Sequence, residues 1–331
     1  MLSEEAITHT KCHFPAYAQG ELEVTALQKG GSGRKFYRLR SPRGETLILV
    51  KYTSERQENS RYVDIASFLS ASSVSVPAIY RHAPEEGLIW MQDLGETDLW
   101  AFRNESWSMR RPLYEKALQE VARLHGEASI RHRDSRLELE KAFNEELYLW
   151  EQNYFFQNCL ESVFGVLPEI VKKTAAIPKF SEIAHRLANE SRVLIHRDFQ
   201  SQNILVHDEK TYLIDFQGMR SGLAQYDLAS LLFDPYVPAF SESELADLLS
   251  CYKEMQGITS ESFDEIFYQC ALQRLMQALG AYGFLGLQKG KPEFLKHVSP
   301  ACRNLKYVVK KIEGLQPFYE FLESLTESVS D

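Results

Sequence analysis

The chain has 331 residues, 44% hydrophobic, 25% charged and 12% aromatic, a balance that excludes a disordered, collagen-like or coiled-coil body and allows two domains or one bilobal unit. A formal charge of −9 argues against nucleic-acid binding through a net positive field. Five scattered cysteines, odd in number and never spaced as C-x-x-C, point to neither a disulfide framework nor a zinc site and suit a reducing cytoplasm.

Residues 1–10 carry Glu4 and Glu5 and no apolar core, so no signal peptide is expected, and no apolar run approaches the ~20 residues of a spanning helix. Up to about Asp93, short β-like runs alternate with Gly, Pro and Ser, at 22–27, 36–39, 46–52, 78–81 and 88–91. One helix is predicted among them, over 60–70, where Tyr62, Ile65, Ala66 and Leu69 recur at helical spacing and Pro77 follows. Beyond Asp93 helices dominate, over 113–127, 137–156, 169–190, 242–255, 263–285, 301–313 and 317–325. One hairpin interrupts them, with runs 204–206 and 212–214 joined by the polar stretch 207–211. Residues 1–92 hold 11 Lys and Arg against 10 Asp and Glu, so the acidity belongs to the second half.

The chemistry is concentrated between residues 194 and 217. Leu194–Val206 reads LIHRDFQSQNILV and Leu213–Gln217 reads LIDFQ, so Asp198, Asn203 and Asp215 sit beside strand-like runs that would anchor them rigidly. That suits phosphoryl transfer, in which a carboxylate orients the acceptor hydroxyl while an amide and a second carboxylate hold Mg²⁺. A lone Asp after a strand is ordinarily a cap or turn residue, but here the loop, the amide, the hairpin and the second Asp occur together and in order. His196-Arg197-Asp198 with Asn203 resembles the H-R-D-x-x-x-x-N catalytic loop of the protein-kinase-like superfamily, and Asp215-Phe216-Gln217 resembles its D-F-G motif. His196 is read as a core histidine supporting the loop, and Arg197 as bracing backbone.

The resemblance implies an α+β, bilobal fold, with a small antiparallel-sheet nucleotide lobe over residues 1–92 and a larger, mainly helical catalytic lobe over 93–331. It implies ATP and Mg²⁺, with Asp198 catalytic and Asn203 and Asp215 on the metal. Gly31, Ser32 and Gly33 then form the phosphate-covering turn, although Gly30–Gly33 departs from G-x-G-x-x-G and reads otherwise as a flexible hairpin. Lys51, ending LILVK, reaches the α- and β-phosphates, the alternative being a solvated edge lysine; Glu58, or else Glu55, is its carboxylate partner. Gln92, in the segment 91–95, marks the hinge that pairs with adenine, and Trp90 or Met91 lines the purine pocket or the core. Arg34, Lys35 and Arg38 lie by the phosphate loop.

Only eleven residues separate Asp215 from Asp227, and no A-P-E signature follows, which disfavours a kinase of protein substrates. With Leu124-His125-Gly126 and Tyr226-Asp227-Leu228-Ala229-Ser230-Leu231-Leu232, the chain resembles the aminoglycoside phosphotransferase and choline kinase group over about residues 25–290. Asp227 is then implied to anchor the catalytic-loop backbone, its plainer reading being a helix N-cap. Within the group, Asp198-Phe199, Ile214–Gln217 and Tyr226–Leu231 look most like bacterial anomeric kinases of N-acetylmuramate and N-acetylglucosamine. The expected acceptor is therefore an amino sugar, with Gln200, Arg220 and Asp234 as candidate contacts. Arg220 has the fork to meet a lactyl carboxylate and reads otherwise as a surface salt bridge, while Asp234-Pro235 reads otherwise as a helix end. Kinases of an aminoglycoside, choline or a homoserine-like amine are the nearest alternative, since an acidic second half could attract cations. A nucleotide-binding pseudokinase scaffold is a further class, opposed by the intact Lys51, Asp198, Asn203 and Asp215. No nucleic-acid or membrane partner is expected.

Overall fold

The computed structural model describes residues 2–27, 34–53 and 57–327. The chain opens with a helix that the composition did not announce, α1 (Glu4–His13), whose first turn is acidic and whose N-cap Ser3 accepts from the Ala6 amide. Strands β1 (Glu23–Leu27), β2 (Lys35–Arg40) and β3 (Thr46–Lys51) follow, then α2 (Gln57–Ala71), β4 (Ile79–Ala83) and β5 (Leu88–Gln92). They form one five-stranded antiparallel sheet in the order β1-β2-β3-β5-β4. The two-residue period of β5 assigns its faces. Ile89 and Met91 enter the interior shared with α2 and the second lobe, whereas Leu88 and Trp90 turn toward α1. Trp90, fully buried, donates its indole N–H to Thr10 Oγ1 at 2.8 Å on that outer face, so of the two purine-pocket candidates only Met91 faces the interior shared with the second lobe.

The second lobe is mainly helical. α3 (Trp107–Arg123) runs through a widened turn at Leu124–Ala128 into α4 (Ser129–His132), followed by α5 (Glu145–Phe155), α6 (Pro168–Ala175) and α7 (Pro178–Asn189). Two short two-stranded sheets come next, pairing β6 (Val193–Ile195) with β9 (Arg220–Gly222) and β7 (Ile204–His207) with β8 (Lys210–Leu213). The rest is α8 (Ala224–Leu232), α9 (Glu242–Gln256), α10 (Phe263–Gly283), α11 (Val298–Lys310) and α12 (Gln316–Glu327). This is the bilobal α+β arrangement that the motifs imply.

Two helices are shorter than their periodicity suggests. The helix expected over 169–190 breaks into α6 and α7 because Pro178 supplies no N–H and biases Ile177 to an extended conformation. The helix expected from 137 begins only at Glu145, capped by Asn144, whose Oδ1 accepts from the Leu147 amide. The preceding residues are extended and hydrogen-bond to the β9 region, Glu140 N–H to Met219 O at 3.2 Å and Phe143 N–H to Ser221 O at 2.9 Å. The β7–β8 hairpin turns on Asp208 and Glu209, both with positive φ, as a two-residue hairpin turn compatible with strand twist requires.

α10 is the axis of the second lobe, buried along most of its length against α5, α8 and α11. Its C-terminal end is glycine because α5 and the turn after it come too close for a side chain. A Cβ on Gly283 would collide with the Asn158 carbonyl, and one on Gly280 would lie 2.9 Å from the Tyr154 backbone. Gly283→Ala is therefore expected to destabilise the chain by about 2–3 kcal/mol, read as a lowered urea midpoint, since the obstructing atom is backbone. Among the described residues no helix is long and apolar enough to cross a membrane.

Candidate active site

β6 delivers the chain into the loop 196–200, and the loop is fixed from beneath. Asp227 in α8 is fully buried, and its carboxylate accepts the backbone N–H of His196 at 2.6 Å and of Arg197 at 2.7 Å, with His125 Nε2 at 3.1 Å. His125 in turn meets the Tyr252 hydroxyl through Nδ1 at 2.7 Å. The N-cap reading of Asp227 does not hold: α8 is capped by Leu223, and Asp227 lies within the first turn. His196, 1% exposed, bonds through Nε2 to the Ile214 carbonyl at 2.9 Å and so ties the loop to the D-F-Q segment. A second buried carboxylate, Asp234, accepts Ser201 N–H and Oγ–H on one oxygen, at 2.8 and 2.6 Å, and Tyr236 N–H on the other. Asp234, expected from sequence to contact the acceptor, is 2% exposed and has both carboxylate oxygens engaged by Ser201 and Tyr236.

Upon this base Asp198 presents a carboxylate that is 32% exposed. Arg197 Nη1 lies 3.3 Å from one oxygen and Arg274 Nη2, from α10, 3.6 Å from the other. Burial opposes the charge of Asp198, but Arg197, Arg274, His196 and Arg220 outweigh it and hold the carboxyl below its ordinary range. Arg274 is itself fixed by Nε to Ser230 Oγ at 3.0 Å. Beside this group Tyr236, Tyr282 and His297 form an aromatic wall, with Tyr236 and His297 rings 4.2 Å apart, and the charges of Asp198 and Arg274 act on the Tyr236 phenol. Gln200 lies at the turn, its N–H bonded to the Asp198 carbonyl.

Asn203 donates Nδ2–H to the Asp198 carbonyl at 2.9 Å, which leaves Oδ1 as the atom to meet a cation, and its own carbonyl accepts from Ile214 N–H at 3.0 Å. The base of the hairpin thereby brings Asn203 and Asp215 together. Asp215 adopts a left-handed conformation with φ 63°, a strained geometry characteristic of functional sites. Its Oδ1 accepts from Arg34 Nη2 and Gln217 Nε2, both at 2.8 Å, and Gln217 Oε1 accepts Arg34 Nη1 at 3.0 Å. Phe216 stacks on Tyr62 of α2 at 4.8 Å, coupling this segment to the first lobe. An amide oxygen and a carboxylate already facing a cation are hard oxygen donors of the kind Mg²⁺ takes, with phosphates and water completing its shell. No cluster of three His, Cys, Asp or Glu capable of holding a metal occurs among the described residues.

Lys51 closes β3 with an exposed side chain, in register with Lys35 and Leu88. Gly31, Ser32, Gly33 and Glu55 lie outside the described residues, as does the side chain of Glu58 in the first turn of α2. At the hinge, Gln92 N–H donates to the Ala78 carbonyl at 2.8 Å and its Oε1 accepts the Ala78 N–H, so neither group is offered to a nucleotide. Arg38, expected by the phosphate turn, instead clamps this hinge through Asp93, at 2.7 and 3.1 Å, and Glu96.

One buried acid escaped the sequence reading. Glu151 in α5 is 1% exposed, with Oε1 accepting from the Tyr226 hydroxyl at 2.8 Å and Oε2 meeting no partner among the described residues. Burial pushes its pKa up to about 7, against the pull of Tyr226 and of Arg197, Arg274 and Arg220. A carboxyl raised in the folded state favours folding while protonated, so its contribution is full below the unfolded value near 4.3 and is lost as pH rises to about 7. Glu151→Gln keeps the acceptor for Tyr226 and never ionises. Its stability relative to wild type should rise by about 3 kcal/mol between pH 4 and pH 8 in urea denaturation, and a pH-independent difference would contradict this.

The sequence pattern of the phosphotransferase enzyme family matches residues 23–261. The chain belongs to that family. This phosphotransferase-family chain is 26% identical over 340 residues to the N-acetylmuramate/N-acetylglucosamine kinase of Pseudomonas aeruginosa, covering 95% of this chain and 93% of the relative. It is 21% identical over 318 residues to the kinase of the same name from Neisseria meningitidis serogroup B, with 93% and 92% covered. Its fold is shared with the ADP-bound aminoglycoside phosphotransferase APH(2'')-Ib, at a TM-score of 0.62 and 15% identity over 92% of this chain and 98% of that one. The aminoglycoside phosphotransferase and choline kinase resemblance read from the motifs is thus borne out for this family member.

Proposed function

We propose that this chain is an ATP-dependent, Mg²⁺-requiring kinase that transfers the γ-phosphoryl group to the C1 hydroxyl of an amino sugar of the N-acetylmuramate or N-acetylglucosamine type. The names of the relatives support the acceptor, and one observation carries the choice against the amines: three guanidinium groups, Arg197, Arg274 and Arg220, act on Asp198 at the reaction centre. A cationic aminoglycoside, choline or amine would meet that positive field at close range, where like charges cost several kcal/mol, whereas a neutral or anionic sugar would not. The acidity of the second half is a global property; the charged side chains nearest the Asp198 carboxylate are guanidinium groups.

In this reading Asn203 and Asp215 would hold Mg²⁺, which supplies charge neutralisation of the phosphates, and Lys51 with the glycine turn would cradle them. Asp198 accepts a hydrogen bond from the acceptor hydroxyl and orients its oxygen in line with the γ-phosphorus. The oxygen–phosphorus bond forms as the bridge to the β-phosphate breaks, ADP leaves, and the hydroxyl proton passes to Asp198. Because its pKa is held low, Asp198 takes that proton late and acts chiefly by orientation. Tyr236, Tyr282 and His297 offer the apolar face of a sugar ring a wall. The reading carries a cytoplasmic location, where ATP is available.

The test is a Mg·ATP assay on N-acetylmuramate, N-acetylglucosamine, choline and an aminoglycoside, with Asp198→Asn as the blank. An acid-labile sugar phosphate is expected. Phosphorylation of the amines instead, or an acid-stable sugar phosphate, would overturn the C1 assignment, and absence of turnover on every acceptor would favour the scaffold class.

A further inference from the structure

Arg220 is the first residue of β9 and pairs with Ile195, immediately before the catalytic loop. Its guanidinium lies over the ring of Phe143 at 5.6 Å, and Nε donates to the Gly218 carbonyl at 3.3 Å. Phe143 is fully buried and held by Tyr148 and Tyr226, with ring centroids 5.0 and 4.8 Å away, so the shelf under Arg220 is rigid. With Nε engaged and the plane supported, the two terminal nitrogens are left as a fork.

No carboxylate among the described residues lies within ion-pair distance of that fork. Glu140, its neighbour across an isolated bridge, is paired to Arg61 at 3.2 Å. Asp198 is shared by Arg197 and Arg274, and Glu151 is buried with a raised pKa. Burial and the like charge of Arg197 both disfavour the cation at Arg220, yet a guanidinium stays protonated. A rigid, partly desolvated guanidinium facing another cation has one natural complement, a planar anion taken by two parallel hydrogen bonds. Its neighbours are Phe143 of the segment 137–144, Tyr226 of α8, and Arg197 and Asp198 of the catalytic loop, which puts the fork beside the carboxylate that would orient the acceptor.

We propose that Arg220 is a specificity residue that binds a carboxylate carried by the acceptor, so that the site prefers a sugar bearing a carboxylate to its neutral counterpart. This rests on the amino-sugar reading above. Among the described residues Arg220 meets no partner for the surface salt bridge that the sequence also allowed.

The experiment compares wild type, Arg220→Gln and Arg220→Lys on N-acetylmuramate, which bears a carboxylate, and N-acetylglucosamine, which does not. The ratio of kcat/KM for the two sugars should fall roughly a hundredfold in Arg220→Gln, the scale of a lost charge-assisted pair, and partly in Arg220→Lys, which keeps charge without the fork. A ratio that moves less than about threefold overturns the proposal, and so does a loss that appears as a raised KM for ATP, which would place the fork on the γ-phosphate. Equilibrium binding of both sugars in the presence of ADP separates this from the kinase reading: preference for the carboxylate sugar in wild type, lost in Arg220→Gln, supports Arg220 even where turnover is absent. A wild type that binds both sugars alike overturns it.

Discussion

Replacing Asp198 with Asn is expected to lower kcat roughly a thousandfold, about 4 kcal/mol of barrier, while Mg·ATP binds as tightly as before or more so. The amide keeps the size of the side chain but cannot take the acceptor's proton, and it offers a single acceptor oxygen in place of two. The direction for nucleotide follows from charge. Asp198 is the carboxylate among Arg197, Arg274 and Arg220, so removing it makes the field at the γ-phosphate more positive. The same charge balance gives a stability signature. An aspartate whose pKa is lowered in the fold stabilises it above the unfolded value near 3.9, and that contribution is lost as pH falls through the folded value. Asp198→Asn should therefore be less stable than wild type at pH 7, with the gap closing in acid. Steady-state turnover and an equilibrium titration with Mg·ATP check the first pair of statements, and near-normal kcat would remove Asp198 from the reaction.

What the sequence made legible was what one short contiguous stretch could encode. Asp198, Asn203 and Asp215 fall within eighteen residues, and the hairpin between them announces itself by apolar runs and a polar turn, so their convergence needed no long-range information. Arg274 and Glu151 sit in α10 and α5, far along the chain, and a helical arginine or glutamate reads as a solvated surface residue until the packing turns it inward. Their signal was faint but present, since each is a charged residue set among apolar and aromatic neighbours, Arg274 within CALQRLM and Glu151 within LYLWEQNYF. Arg34 was noticed for its nearness to the glycines. That it would cross to Asp215 and Gln217 depends on how the two lobes close, which no local pattern specifies.

The fold was legible on similar terms. The five strands of the first lobe were bounded by Gly, Pro and Ser and came within one or two residues of their observed limits. The three-residue strands β6 and β9 were not, because three residues carry no period and their pairing joins segments far apart in the chain. α1 was missed for a related reason: its apolar face is small, and what holds it is a contact made by Thr10 with Trp90, eighty residues on.

Asp227 joins the local loop to the long-range packing of the second lobe, and its replacement should show it. Arg197 stands at φ 77°, a left-handed conformation that costs a non-glycine residue about 1–3 kcal/mol, and it is kept there by Asp227, which accepts its N–H and that of His196. Asp227→Ala strands two backbone donors and His125 in a fully buried site. The expected loss of stability is about 3–5 kcal/mol, with kcat falling by two or more orders of magnitude because Asp198 rides on the released turn. Asp227→Asn is the sharper test. One of its two terminal atoms must be an NH₂ group, and whichever way the amide turns, that group faces a backbone N–H that needs an acceptor, or His125 must surrender its partner. It should therefore destabilise by about 2–3 kcal/mol despite being isosteric, while KM for ATP, set mainly by groups outside this turn, changes little. Urea denaturation beside steady-state kinetics decides the matter. A wild-type midpoint in Asp227→Asn would mean that the loop is held from elsewhere, and normal kcat in a destabilised variant would mean that Asp198 keeps its position without the anchor.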